Sequence, residues 1–412
     1  MALDLVSFAS VLKEHYTALE IKSMSYSNHP LLAMLPKMEN FTGLNLPVPV
    51  RFGTPASRSV DFPTALAQKP GANSQYVRFV LTRARDYGLA TIQNEVLKAS
   101  KGDVGAFMEA VTSEIDGVFQ SVGRSLAQKI YGTGTGQIGV VNAAGAAALT
   151  ITLATPADVT NFEVGDTIVA SVAAGGVLYP GSVVLTGIDR DLGTLTVVGG
   201  NWNAQIPGLV ATDFLYKQGD AANGGANVSL TGLGGWLPPA APGAGLFFGV
   251  NRTADVTRLG GVRFAGVTMT VQEALTGGAT RLGREGGRPS HVFLNHLHYN
   301  ELLNDLGSRV EYERGNGSGD MADISFSGMR LHTPTGSVLV IPDHNCPVGT
   351  AFMLQMDTWK LYSLGAAPQL LDSDGMQFLR EAGLDAIEVR TGYYAQLGCA
   401  APGWNANISL AV

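Results

Sequence analysis

An α+β fold is predicted for this 412-residue chain, and three observations predict it. A strictly alternating extended segment lies early, one long amphipathic helix follows it, and the strand-rich remainder lacks regular βαβ alternation. Leu44, Leu46, Val48, Val50 and Phe52 fall on one face of an extended strand, while Pro47 and Pro49 fall on the other phase. Proline cannot donate to a sheet ladder, so this reads as an edge strand. Tyr76 to Thr82 is a second extended run beyond a loop rich in Gly, Pro, Ala and Ser, and the two form one long hairpin reaching away from the body. A two-stranded hairpin is marginal alone in water. Its apolar face is therefore expected to lie on another surface, most readily that of a neighbouring copy.

The helix comes next. Val104, Phe107, Met108, Val111, Ile115, Val118, Phe119, Val122, Leu126 and Ile130 recur at spacings of three and four, with charged and amide side chains between them. Asp103 suits an N-cap and Gly132 a stop, giving a span of roughly 40 Å. Gly105, Gly117 and Gly123 each cost about 1 kcal/mol in a helix interior, so tertiary packing must hold it. Taken singly, each element also suits an ordinary core. Ahead of the hairpin, Leu5, Phe8, Val11, Leu12 and Leu19 show helical spacing until the pattern breaks between Ser23 and Pro30.

Residues 137–227 form a compositional island with two basic residues, Arg190 and Lys217, against seven acidic ones. Leu149 to Leu153, Val164 to Ser171, Val183 to Ile188, Thr194 to Val198 and Asp213 to Lys217 read as short strands, with Asp189 to Gly193 as a hairpin turn. Glycine-rich stretches at Gly132 to Gly136 and Gly219 to Ala226 flank the island and read as flexible linkers around a small inserted β-barrel. Beyond it, a helix is expected at Val271 to Gly283, and a strand running into a helix from His291. Strands follow at Ser337 to Ile341, Phe352 to Met356, Trp359 to Ser363 and Glu388 to Leu397.

The order of arm, extended loop, long helix and mixed remainder resembles the tailed-bacteriophage major capsid proteins with the Hong Kong 97 phage capsid fold. HPLLAMLPK at His29 to Lys37, DYGLATIQNEVLKAS from Asp86 and PQLLDSDGMQFLREAGLDAIEVRTGYYAQL from Pro368 add to the resemblance, which covers about three quarters of the chain as an arrangement. It implies an N-terminal arm (1–43), an extended hairpin loop (44–85), a spine helix with part of a peripheral domain (86–136), the inserted β domain (137–227), and an axial domain with the rest of the peripheral domain (228–412). The implied function is structural. Subunits would associate into pentamers and hexamers of an icosahedral shell around phage double-stranded DNA, located in the virion and, during assembly, in the host cytoplasm. Implied partners are the chain itself, a portal, a decoration protein and DNA through non-specific contact, with no membrane. With only residues 1–43 ahead of the hairpin, the scaffolding protein is expected to be separately encoded. Two alternatives stay open: an encapsulin-like nanocompartment shell, separable by its cargo, and a metal-dependent hydrolase.

Composition bears on these readings. Hydrophobic residues make up 45% and charged ones 15%, and no apolar run approaches the roughly 18 residues that span a bilayer. Cys346 and Cys399, far apart and without a CxxC pair, read as buried thiols. The formal net charge of -7 argues against a dedicated nucleic-acid binder. Its distribution is uneven. From Arg51 to Lys101 eight Lys/Arg face three acidic residues, and from Glu301 to Val412 thirteen acidic residues face six basic ones, which suggests a basic arm lying on an acidic body. The inter-subunit contact candidates are accordingly Leu46, Val48, Val50, Arg51, Phe52, Lys69, Arg78, Arg83 and Arg85.

Chemistry has little support. His291, His296 and His298 form a histidine cluster that Glu301 or Asp305 could complete for a divalent metal, but His296 and His298 cannot share a helical face at a spacing of two. The glycines of Gly132 to Gly136 follow a helix and lack the Lys-Ser/Thr pair of a phosphate-binding loop, and no Gly-x-Ser-x-Gly elbow exists. No catalytic residue, cofactor or metal is expected. Some relatives in the resembled family join an extended-loop lysine covalently to a neighbour's asparagine; Lys69 reads instead as a solvated loop-tip residue.

Overall fold

The computed structural model describes residues 29–69, 73–95, 104–142, 147–306, 328–371, 379–380 and 383–412. The helical spacing from Leu5 to Leu19 and the Asp103 cap lie outside these residues. Alternation produces the expected hairpin: Asn45–Gly53 pairs antiparallel with Gln75–Thr82, placing Leu46 opposite Leu81, Val48 opposite Phe79 and Val50 opposite Val77. The strand bearing Pro47 and Pro49 has that single partner, as its missing N–H donors require.

The expectation that a neighbouring copy covers this apolar face fails for the root of the hairpin. Val48, Val50, Phe79 and Leu81 are buried within the chain, and Leu46, Phe52 and Val77 pack against the same core. The cover comes from about 150 residues downstream in sequence. Phe79 sits edge-on to Trp236 at 4.9 Å and to Phe247 at 6.2 Å, the Val80 N–H donates to the Phe248 carbonyl at 2.9 Å, and Arg258 donates to the Phe52 carbonyl at 2.7 Å. Full burial of one such aromatic contributes about 1.5–3 kcal/mol. The root is therefore core, and Leu44, 81% exposed, is the one member of the alternating face left in solvent.

Strand Ala84–Gln93 lies against Ala386–Cys399 along its whole length, in a six-stranded sheet with Lys37–Met38, Trp359–Ser363, Gln369–Leu370 and Leu379–Arg380. The helix Val104–Tyr131 packs across one face of it. Gly88 permits that approach, since a Cβ there would come within 2.6 Å of Val122 and 2.7 Å of Val118. A second six-stranded sheet runs Val262–Ala265, Ala406–Ser409, Thr350–Leu354, His291–Leu294, Gly336–Pro342 and Met329–Thr333, with its own buried cluster. Helix Val271–Arg284 begins in a capping box, Thr270 accepting from the Glu273 N–H while the Glu273 carboxylate accepts from the Thr270 N–H.

The island folds into a six-stranded antiparallel sheet in the order Gln137–Val140, Phe214–Lys217, Thr167–Ser171, Val183–Asp189, Thr194–Val197 and Thr150–Thr152. A bridge between Val141 and Leu153 joins its two edges, so the sheet closes into a barrel around Phe162, Trp202, Leu185, Leu195 and Leu215. Asp189 shapes the turn at its rim, its Oδ1 accepting from the N–H groups of Asp191 and Leu192 at 3.0 Å each.

The flanking glycines correct the reading of flexible linkers. The two connections brace each other: the Gly232 N–H donates to the Gly132 carbonyl and the Ala222 N–H to the Thr135 carbonyl, at 3.1 and 3.2 Å. Gly136 has φ +84°, and a Cβ on it would lie 2.0 Å from the Asp220 carbonyl oxygen. Glycine is thus required for close backbone approach, not for mobility. The seam is also ionic. Lys129 reaches Asp86 at 2.8 Å and Asp220 at 3.1 Å, and Arg124 binds both Glu163 and the Thr160 carbonyl of the barrel. Burial opposes the Lys129 charge, yet Asp86 and Asp220 outweigh it and raise its pKa; burial raises that of Asp220, which Lys129 only partly offsets.

Two outcomes follow from the seam. Gly136→Ala should cost about 2 kcal/mol or more, read as a lowered urea midpoint with an unchanged slope. Asp158, beside an 80 Å³ cavity between the barrel and the helix, has its carboxyl pushed up to about 7 by burial. The folded chain therefore holds a proton there that the unfolded chain releases near pH 4, so this contribution is full at low pH and lost as pH rises through about 7. Asp158→Asn should gain stability relative to the parent between pH 5 and pH 8 in paired urea titrations.

Candidate inter-subunit interface

Beyond its buried root the hairpin ends in the helix Phe62–Gln68. Asp61 caps it, Oδ2 accepting from the Thr64 N–H at 3.1 Å and the Thr64 hydroxyl at 2.6 Å, and these bonds hold the Asp61 carboxyl below its usual pKa. No residue of this seven-residue helix is buried. Val60, Phe62 and Leu66 are 105%, 77% and 54% exposed. A helix this short does not hold together on propensity alone, and its apolar side has no cover in the described chain. Phe62 and Leu66 stand at i and i+4, a spacing that sequence reading passed over because the surrounding Gly, Pro and Ser signalled a plain loop.

The structure separates the candidate residues into three groups. Leu46, Val48, Val50 and Phe52 belong to the chain's own core and leave the candidate surface. Arg83 is also engaged internally, stacked over the Phe41 ring at 5.2 Å while donating to the Phe41 carbonyl at 2.8 Å. Arg51, Lys69, Arg78 and Arg85 are exposed. Those four candidates stay on the surface, and an apolar tip that sequence reading did not name, Val60, Phe62 and Leu66, joins them, with Arg58 and Lys69 at its flanks.

The histidine cluster does not form a metal centre. His298 is buried with both ring nitrogens in use: Nε2 accepts from the Gly349 N–H at 2.8 Å, which leaves the proton on Nδ1 to bind Glu301 at 2.8 Å. That occupancy removes the ligand on which the hydrolase alternative depends. Nδ1 of His291 contacts the Ser290 hydroxyl at 2.8 Å, and His296 is exposed. Among the described residues no group of three or more His, Cys, Asp and Glu side chains is placed to hold a metal ion. Cys346 and Cys399 are buried and free.

Neither a protein-family model nor a curated protein sequence matches this chain. Solved structures do. Over 99% of its length the chain is similar to a chain of the cyanophage A-1(L) capsid asymmetric unit, with a TM-score of 0.53, 12% identity and 99% of that chain covered. Over 100% of its length it is similar to a chain of the capsid of a native GTA particle, with a TM-score of 0.50, 10% identity and 100% of that chain covered. The chain has an α+β phage-capsid fold.

The arginines should behave differently when changed singly. Arg83→Ala should lower stability by about 1–2 kcal/mol through loss of its ring and carbonyl contacts. Arg78→Glu and Arg85→Glu should stay within about 0.5 kcal/mol of the parent in the same denaturant titration.

Proposed function

We propose that this chain is the major capsid protein of a tailed bacteriophage. It is a structural, non-enzymatic subunit that associates with itself into pentamers and hexamers and so into the icosahedral head shell enclosing double-stranded DNA. The whole-length likeness to two capsid chains supports the reading, because a partial likeness would leave room for another use of the same sheet. The observation that carries it is the hairpin tip. An arm rooted in the core presents Val60, Phe62 and Leu66 to solvent on a helix that buries nothing of its own. In a shell each tip lies on the adjacent subunit, where covering each large apolar side chain contributes about 1.5–3 kcal/mol before the entropic cost of association. A scaffolding protein, a portal and a decoration protein complete the assembly, and DNA is met through non-specific contact.

Negative-stain microscopy of the purified chain tests the class directly, with closed shells of uniform size as the expected result. Phe62→Asp with Leu66→Asp changes only exposed side chains, so the subunit should unfold within about 0.5 kcal/mol of the parent while yielding no shells. Shells of parental yield and size from that variant would remove the tip from the assembly contact.

A further inference from the structure

One sheet face in the described chain lacks a cover and has a distinctive composition. Strand Ala84–Gln93 turns its even-numbered residues to the long helix and its odd-numbered ones away. On the outward face Arg85 lies across the ladder from Tyr394, Tyr87 from Gly392 and Leu89 from Arg390. Tyr87 and Leu89 are exposed, the Tyr87 and Tyr394 rings meet edge-on at 6.0 Å, and Arg390 is paired with Glu388. Arg85 has no ion pair among the described residues. Tyrosine and arginine around an apolar centre is the composition of a protein contact rather than of a solvated surface.

A surface of opposite charge lies on the barrel. Of the seven acidic residues in 137–227, Glu163 is bound by Arg124 and Arg190, Asp166 by Lys217 and Asp220 by Lys129, while Asp158 and Asp213 face inward. Asp189 and Asp191 remain exposed, on the rim turn, beside an exposed Leu192. Arg190 folds back onto Glu163 and the Phe162 carbonyl, so the turn presents two carboxylates and a leucine. Glu163 is held in turn by Arg124 of the long helix. The turn therefore sits on the helix side of the sheet, and the Arg85 face on the opposite side, so the two surfaces meet only between copies.

We propose that the outward face at Arg85, Tyr87 and Leu89 receives the Asp189–Gly193 barrel turn of a second copy of this chain, Asp191 pairing with Arg85 and Leu192 lying between Tyr87 and Leu89. The contact rests on the self-assembly reading above and is separate from the hairpin-tip contact. Exposed ion pairs are weak singly, and a closed shell repeats them at every equivalent contact.

Charge exchange tests it on the full chain. Asp189 is left intact because it shapes the turn. Arg85→Glu and Asp191→Arg alone should each raise the subunit concentration needed for shell formation about fivefold or more, followed by sedimentation and negative-stain microscopy, with circular dichroism unchanged. The double variant should return to within about twofold of the parent. Parental assembly by Arg85→Glu overturns the contact, as does a defect that Asp191→Arg fails to rescue, which would give the face to another occupant such as DNA or a decoration protein. In both cases the parent still forms shells and the capsid reading stands. No assembly by the parent in any salt concentration overturns both.

Discussion

Lys129 is the constraint on which the rest of the chain hangs. Its ammonium lies 2.8 Å from Asp86 on the strand Ala84–Gln93 and 3.1 Å from Asp220 on the return connection of the barrel, while its own backbone ends the long helix. Three segments separated by up to 134 positions are thereby fixed at one point. Asp86 is further held by the Ser125 hydroxyl at 2.6 Å and the Tyr393 hydroxyl at 3.3 Å. Taking such charges out of water is costly, and the pairing returns the cost only while every lone pair is occupied. The triplet therefore contributes more to fixing where the helix ends and the barrel departs than to net stability. An apolar replacement of Lys129 alone would leave two carboxylates facing one another.

The split character of the hairpin has its own cause. Its root packs through Phe79 into the aromatic cluster of Trp236, Phe247, Phe248 and Trp359. At the tip Val60, Phe62 and Leu66 are apolar and bare. The tip helix buries none of its own residues and is too short to persist on propensity alone, so a surface that covered Phe62 and Leu66 would also stabilise the helix that carries them.

Much of the fold was legible in the sequence because it is written in local periods. Period two gave the strand through Val48 and Val50, spacings of three and four gave the long helix, and turn chemistry gave Asp189 to Gly193. What covers a periodic face is not local. Nothing near Phe79 announces Trp236, and nothing near Arg83 announces its seat on the Phe41 ring. Strand Ala84–Gln93 escaped as a strand for a related reason: a buried Asp86 and a glycine facing the helix interrupt its inward phase, although both are required there by Lys129 and Val122. Glycine composition misled at the linkers, since the same residue serves mobility and close approach, and only the Asp220 carbonyl against Gly136 tells them apart.

Charge sets the remaining condition on association. A chain of formal net charge -7 repels its copies, and within the barrel three of the seven carboxylates, Glu163, Asp166 and Asp220, are paired in place with Arg124, Arg190, Lys217 and Lys129. Within the barrel the carboxylates left exposed are Asp189 and Asp191 at the rim turn, while the hairpin and the strand after it expose Arg51, Arg58, Lys69, Arg78 and Arg85 alongside Asp61. Like surfaces on two copies repel and unlike ones attract, so these two patches favour a head-to-tail pairing of turn with arm over turn with turn or arm with arm. Heterologous contacts of that kind close into rings when the rotation between subunits allows, which is what pentamers and hexamers require. In the assembly proposed above, the apolar tip would supply the attraction and the exposed charges would bear on which surface it approaches.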